Sequence, residues 1–271
     1  MSITRRSFLG ALAAGSAALA ATRRAEGPYR IGLETYCFHD VDLDIMLRHV
    51  QSLGLRYLEL HDGHLPHNAS PAQIERTQKA LSGAGISATG IYIHDAFTDD
   101  AAIAHPIFQF AKNMRFHYIN GGPKREALPL LNRLVPEHGV QIALHNHGPG
   151  ARYETLEDVT SALTAYPKLT PCIDIGHFAR SRVDPVRATR ALGARAVAIH
   201  VKDVDAKGAN TIVGEGIIDM PGVFAALRDS GFNGLVVLEY EGDFDNMQKR
   251  LAGMRTSLAN MYRFIEAASR Q

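Results

Sequence analysis

Two hydrophobic patterns alternate along the chain from about residue 29 onward. Short runs rich in β-branched and apolar residues read as buried strands. Longer stretches whose apolar positions recur every three or four residues read as amphipathic helices. The strand pattern covers 29–36, 56–61, 88–94, 115–120, 140–145, 170–175, 196–202 and 234–240. The helical pattern covers 43–53, 71–81, 101–112, 125–137, 155–166, 184–192 and 221–230, and a last helix runs from about 244 to the end. Leu53-Gly54, Leu192-Gly193 and Ser230-Gly231 place glycine where a left-handed cap ends a helix, and Asp184-Pro185 places a capping acid before a first-turn proline. Strand–helix alternation implies right-handed crossovers and a parallel sheet. Eight such units in a chain of this length predict a single-domain (β/α)₈ TIM barrel over 27–271.

The first 26 residues break the pattern and read as an address. Thr4-Arg5-Arg6-Ser7-Phe8-Leu9 resembles a twin-arginine export signal, followed by an apolar stretch too short and too rich in Ala and Gly to span a bilayer. Ala18-Leu19-Ala20 supplies a small-x-small cleavage site. The expectation is a periplasmic protein with no membrane attachment once the segment is removed.

Composition narrows the partners. The 271 residues are 46% hydrophobic and 21% charged, ordinary for a globular protein. With 29 Lys/Arg against 28 Asp/Glu, the net charge of +1 gives no basic face for a phosphate backbone, so nucleic acid is not an expected partner. Cys37 and Cys172 sit in apolar strand-like runs and read as core thiols rather than a disulfide. A homo-oligomer remains open.

The candidate chemistry lies at the strand ends, where a closed parallel barrel carries its function. Strand two ends Glu59-Leu60-His61 and strand three ends Ile93-His94-Asp95. Strand five gives His145-Asn146-His147, and strand six gives Asp174-Ile175-Gly176-His177. Strand seven gives His200-Val201-Lys202-Asp203, and strand eight gives Glu239-Tyr240-Glu241. Residues two apart share a face, so His200 goes with Lys202, Glu239 with Glu241 and His145 with His147. Acidic and imidazole groups among Ile, Val and Leu must be paired or metal-bound. One Asp, one or two His and one Glu form a mixed nitrogen and oxygen donor set suited to Mn, Mg, Co or Zn.

These residues resemble the sugar-phosphate isomerase/epimerase superfamily of xylose-isomerase-like barrels. The resemblance runs from about residue 30 to 265 and rests on Cys172-Ile173-Asp174-Ile175-Gly176-His177, His200-Val201-Lys202-Asp203 and Gly214-Glu215-Gly216 through Glu239-Tyr240-Glu241. It implies that Asp174, His200 and Glu239 are three of four metal ligands, that His177 hydrogen-bonds substrate oxygens and that Glu239 moves a proton beside a carbonyl. Family epimerases carry Glu-Asn-His on strand five, whereas this chain has His145-Asn146-His147. His145 is then the expected fourth ligand and second base, with His147 its competitor.

The expected activity is a divalent-metal-dependent isomerisation or epimerisation of a small sugar or keto-sugar through an enediolate. Lys202, Glu59, His94, His147 and Glu215 are candidate substrate contacts, with Glu59 also placed to orient His145 and Lys202 also placed to pair with Asp203. A comparable His-rich strand five among dehydratase-like relatives raises a lyase on keto-sugars or inososes as the alternative. A non-catalytic sugar-binding barrel is the alternative of another class. The superfamily's endonucleases need an Asp-x-His pair after strand seven, where this chain has Asp205-Ala206-Lys207.

Overall fold

The computed structural model describes residues 28–94 and 96–270. The export segment expected at 1–26 lies outside the described residues. Eight parallel strands close into a barrel: β1 (Arg30–Glu34), β2 (Tyr57–His61), β3 (Ser87–Tyr92), β4 (Tyr118–Gly121), β5 (Gln141–His145), β6 (Thr170–Asp174), β7 (Ala198–Val201) and β8 (Leu235–Leu238). Each pairs with its sequence neighbours, and β1 closes the circuit on β8 through Arg30↔Leu235 to Leu33↔Leu238. The outer layer consists of α1 (Leu43–Ser52), α2 (Pro71–Ala84), α3 (Ala101–Met114), α4 (Leu128–His138), α5 (Leu156–Ala165), α6 (Ile175–Arg180), α7 (Pro185–Leu192), α8 (Met220–Asp229) and α9 (Met247–Ser269). The described residues form a single-domain (β/α)₈ TIM barrel, as the alternating pattern predicts. No helix among the described residues is long and apolar enough to cross a membrane.

The elements depart from the sequence pattern in a few places, each for a local reason. Strand six stops at Asp174, and Ile175 begins α6 instead of ending the strand, because the Asp174 carboxylate caps the next turn by accepting the His177 N–H. Gly54 and Gly231 adopt the expected left-handed backbone, at φ 74° and 68°. Gly193 does not: its φ is −57°, and it leads into a 3₁₀ turn. Its glycine answers a close approach, since a Cβ there would meet Ser230 Oγ at 2.4 Å. Cys37 and Cys172 are buried free thiols.

The barrel interior is layered by the two-residue period of its strands. Tyr118, Ala143, Cys172, Ala198, Leu235 and Val237 pack into a small apolar floor inside the barrel. Two positions further along the same strands stand Asn120, His145, Asp174, His200 and Glu239, all buried. The floor thus lifts the polar layer to the C-terminal mouth, the face on which loops and ligands meet in this architecture.

Candidate metal centre

The polar layer converges on one point. His145, Asp174, His200 and Glu239 each offer a donor atom, and these four atoms all lie within 4.8 Å of one another. Asp174 is held in place twice. Its Oδ1 accepts the His177 N–H at 2.8 Å, and its backbone is clamped to β5 by Asn146, which donates to Asp174 O and accepts the Asp174 N–H, both at 2.8 Å. The other oxygen, Oδ2, faces His145 Nε2 at 3.5 Å. Both atoms are buried, and neither has a hydrogen-bond partner.

His200 is gripped from both ring nitrogens. Nε2 donates to Glu59 Oε1 at 2.9 Å, and Nδ1 lies 2.7 Å from Glu239 Oε2. Glu59 in turn accepts from Tyr118 Oη at 2.6 Å and Asn120 Nδ2 at 2.7 Å. Tyr118 reaches Glu59 through the space left by Gly90, where a Cβ would fall 2.4 Å from the tyrosine ring. Burial alone would lower the imidazole's pKa. The surrounding Cys172, Glu59 and Glu239 instead raise it well above its usual range. Burial would likewise raise Glu59, but the charge and hydrogen bond of His200, with those of Tyr118 and Asn120, bring it below the usual carboxylate range.

Lys202 is the second buried cation. Its Nζ lies 2.8 Å from Glu241 Oε1, 2.9 Å from Glu239 Oε1 and 3.2 Å from Asp174 Oδ2. Burial works against the ammonium, and the three carboxylates more than offset it, so its pKa stands well above the usual lysine range. The same contact works in reverse. Burial would raise Asp174 and Glu239, whereas Lys202 first, then His177 for Asp174 and His200 for Glu239, hold both well below the usual range. Both carboxylates therefore stay ionised. His177 is held neutral, its pKa lowered to about 2 chiefly by burial, against the pull of Asp174.

Above this cluster opens a cavity of about 240 Å³, into which His145, His177, His200 and Glu239 face. His94 and His147 line it, and they also border a neighbouring cavity that reaches Arg152. Three expected substrate contacts fall elsewhere. Glu59 is completely buried beneath His200, so it orients His200 rather than His145 or a ligand. Lys202 is 1% exposed and stands behind the carboxylates rather than on the cavity wall. It also makes no pair with Asp203, whose carboxylate instead accepts the N–H groups of Val204, Gly214 and Gly216. That bond set anchors the loop carrying Glu215, which is exposed to solvent and not part of the wall.

On the β1–β3 side of the cavity, sequence reasoning named His61 and His94 at strand ends but missed Glu34, Tyr36 and Tyr92. Glu34, Tyr36, His61 and Tyr92 line it there, with His61 stacked on Tyr92 at 5.5 Å and tilted against Tyr36 at 5.2 Å. The signal was present: Glu34 and Tyr36 share a two-residue period at the end of strand one, as Glu59 and His61 do at the end of strand two. A further group with metal-ligating side chains, His105, Glu137 and His138, sits on the outer wall between α3 and α4, where the two imidazoles hydrogen-bond each other at 3.0 Å.

The barrel quartet fits a divalent cation. Its donors are two imidazoles and two carboxylates, a set that holds Zn, Mn or Co. Two of its buried donor atoms, His145 Nε2 and Asp174 Oδ2, have no hydrogen-bond partner, and such an ion would satisfy them alongside the Lys202 ion pair. Glu59 completes a carboxylate–histidine pair that fixes which His200 nitrogen faces the ion.

Comparison with known proteins agrees with this architecture. The family model for the xylose isomerase-like TIM barrel matches residues 124–263. Inosose dehydratase of Lacticaseibacillus casei is 29% identical over 126 residues, which cover 40% of this chain and 42% of that protein, so the match spans less than half of the relative's length. The structure of L-ribulose 3-epimerase superposes with a TM-score of 0.71 at 16% identity, covering 89% of this chain and 96% of that one. The IolI protein, solved with a zinc atom bound, superposes with a TM-score of 0.73 at 15% identity, covering 88% and 99%. At those identities the two superpositions establish the fold.

Proposed function

Because this chain belongs to the xylose isomerase-like TIM barrel family, we propose that it is a divalent-metal-dependent enzyme that shifts a proton beside the carbonyl of a sugar or keto-polyol, by way of an enediolate. The observation that carries this reading is the buried quartet of His145, Asp174, His200 and Glu239, two of whose donor atoms, His145 Nε2 and Asp174 Oδ2, have no hydrogen-bond partner. These four residues would hold a divalent cation, which would supply Lewis acidity to a substrate carbonyl and so make the neighbouring C–H more acidic.

The side chains divide the remaining work. Glu239, kept ionised by Lys202 and His200, accepts the proton at a carboxylate oxygen. His177, neutral and facing the cavity, hydrogen-bonds a substrate oxygen. Lys202 fixes Asp174, Glu239 and Glu241 relative to one another from behind. Reprotonation on the opposite face of the same carbon gives an epimer, and reprotonation at the neighbouring carbon, with a proton moving between the two oxygens, gives an isomer. Departure of the β-hydroxyl gives a dehydrated product instead. That second outcome is favoured by the name of the Lacticaseibacillus casei relative and by His145 standing where epimerases of the family carry glutamate. The arginine pair at Arg5-Arg6 supports export by the twin-arginine route to the periplasm.

The test is proton exchange in deuterated water, followed by NMR, with manganese-loaded protein and a panel of ketoses and inososes. Deuterium should enter at the carbon beside the carbonyl, with loss of water from an inosose marking the lyase. Asp174→Ala should lose both the bound metal and the exchange. A panel in which nothing exchanges would refute the enzymatic reading. Unchanged sugar binding by metal-free Asp174→Ala would point to a binding barrel.

A further inference from the structure

Two acidic groups line the cavity without belonging to the quartet, Glu34 and Glu241, and Glu241 is already paired with Lys202 and Asn210. Glu34 closes β1, one step beyond the Leu33↔Leu238 pair, and is 2% exposed. Its two oxygens are used unequally. Oε2 accepts the Tyr36 N–H and caps the 3₁₀ turn Thr35–Phe38, while Oε1 is buried with no hydrogen-bond partner. A cap needs only one acceptor, and Ser, Thr, Asn or Asp provides it with a shorter side chain. The second oxygen therefore costs folding free energy for no structural return, and a buried polar atom left this way implies a partner that arrives from outside.

The surroundings limit what that partner is. Glu34 is flanked by Glu239 on β8 and Glu59 on β2, and these, after burial itself, raise its carboxyl well above the usual range. An anionic group is repelled there, whereas a neutral hydroxyl is accepted. Tyr36, His61 and Tyr92 supply a wall of rings on the same side, suited to the C–H face of a polyol. The metal quartet occupies the arc from β5 to β8, so a substrate whose carbonyl end meets that arc presents its remaining carbons to β1.

We propose that Glu34 is a substrate-binding residue whose Oε1 holds a hydroxyl of a polyhydroxylated substrate on the β1 side of the cavity, and that it thereby selects against the analogue lacking that hydroxyl. The proposal rests on the keto-sugar reading of the site. It assigns to β1 a specificity role that the quartet does not supply.

Two measurements on the full chain test it. The first is thermal unfolding of Glu34→Gln, without metal or ligand. A residue kept for binding should give a melting temperature equal to or above that of the wild type, because removing a crowded buried carboxyl relieves the fold. Glutamine keeps the acceptor that caps the turn, so a lower melting temperature would mark the second oxygen as structural and overturn the proposal. The second is the deuterium-exchange assay, run with manganese-loaded Glu34→Ala and Glu34→Gln on an exchanging keto-polyol and on its singly deoxygenated analogues. For the parent compound kcat/KM should fall roughly 10–100-fold, with metal content unchanged. For one deoxy analogue the variants and wild type should agree within about 2-fold. An equal loss on every compound, or no loss on any, also overturns the proposal. Wild-type protein that exchanges nothing fails the keto-sugar reading instead, and the melting temperature then still decides between a ligand contact and a structural role for the second oxygen.

Discussion

His200 draws most of its chemistry from a residue across the barrel. Glu59 on β2 accepts from Nε2, which leaves Nδ1 directed at Glu239 and, at 3.9 Å, Asp174. Outer carboxylates of this kind raise the basicity of a ligating imidazole and fix its orientation, and their loss typically costs 10–100-fold in metal affinity. Glu59→Gln keeps the shape but removes the charge, so we expect metal affinity to drop by roughly that factor with circular dichroism unchanged. Competition against a chelating dye measures it, and an affinity equal to wild type would show that Glu59 only fills space. Asp174, His200 and Glu239 could be singled out in the sequence because each stands among Ile, Val and Leu, where an unpaired charge is costly. The role of Glu59 could not. Which imidazole it meets depends on the strand arrangement around a closed barrel, and no local spacing encodes that contact.

Elements place these residues through handovers from strand to turn. At β6 the handover is abrupt: Asp174 ends the strand and caps α6, so His177 enters the site from the first turn of a helix. A helix of six residues is too short to show a 3.6-residue period, which is why residues 170–175 read as one strand while the two longer neighbouring helices, α5 and α7, were legible to within a residue or two. Gly176 is the packing condition for this handover. A Cβ there would fall 2.1 Å from Lys202 Cγ, deep in the buried cation's stem. Gly176→Ala must therefore push Lys202 away from Glu239 and Asp174. We expect a loss of about 1–3 kcal/mol in stability from overpacking and at least tenfold weaker exchange activity, read by urea unfolding and by the deuterium assay. A variant that matched wild type in both would mean the lysine stem moves aside freely and does not set the geometry of the carboxylates.

At the scale of the whole molecule, the barrel was legible because alternation of strand and helix patterns leaves few topologies, and eight repeats favour closure. Closure then does what the sequence does not display: it collects four buried donors from β5, β6, β7 and β8 at one mouth, at the cost of concentrated like charge. Without a cation, His200 and Lys202 supply the compensating positive charge. His200 has a raised pKa in the folded chain, so its charge stabilises the fold most below the ordinary imidazole range, and that contribution fades as pH rises through the folded value. A divalent ion at Nδ1 must displace that proton. Metal affinity should thus climb with pH while metal-free stability does not. With metal at about 100 times its dissociation constant, linkage gives about 2.7 kcal/mol of added stability, which for a domain of this size is a rise of roughly 5–10 °C in Tm. We expect that rise to be larger at pH 8 than at pH 6, to vanish with EDTA, and to be absent in Asp174→Ala. Calorimetric scans at the two pH values, with and without manganese or zinc, measure it. A metal-dependent rise that is larger at pH 6, or that survives in Asp174→Ala, would place the stabilising ion somewhere other than the mouth of the barrel.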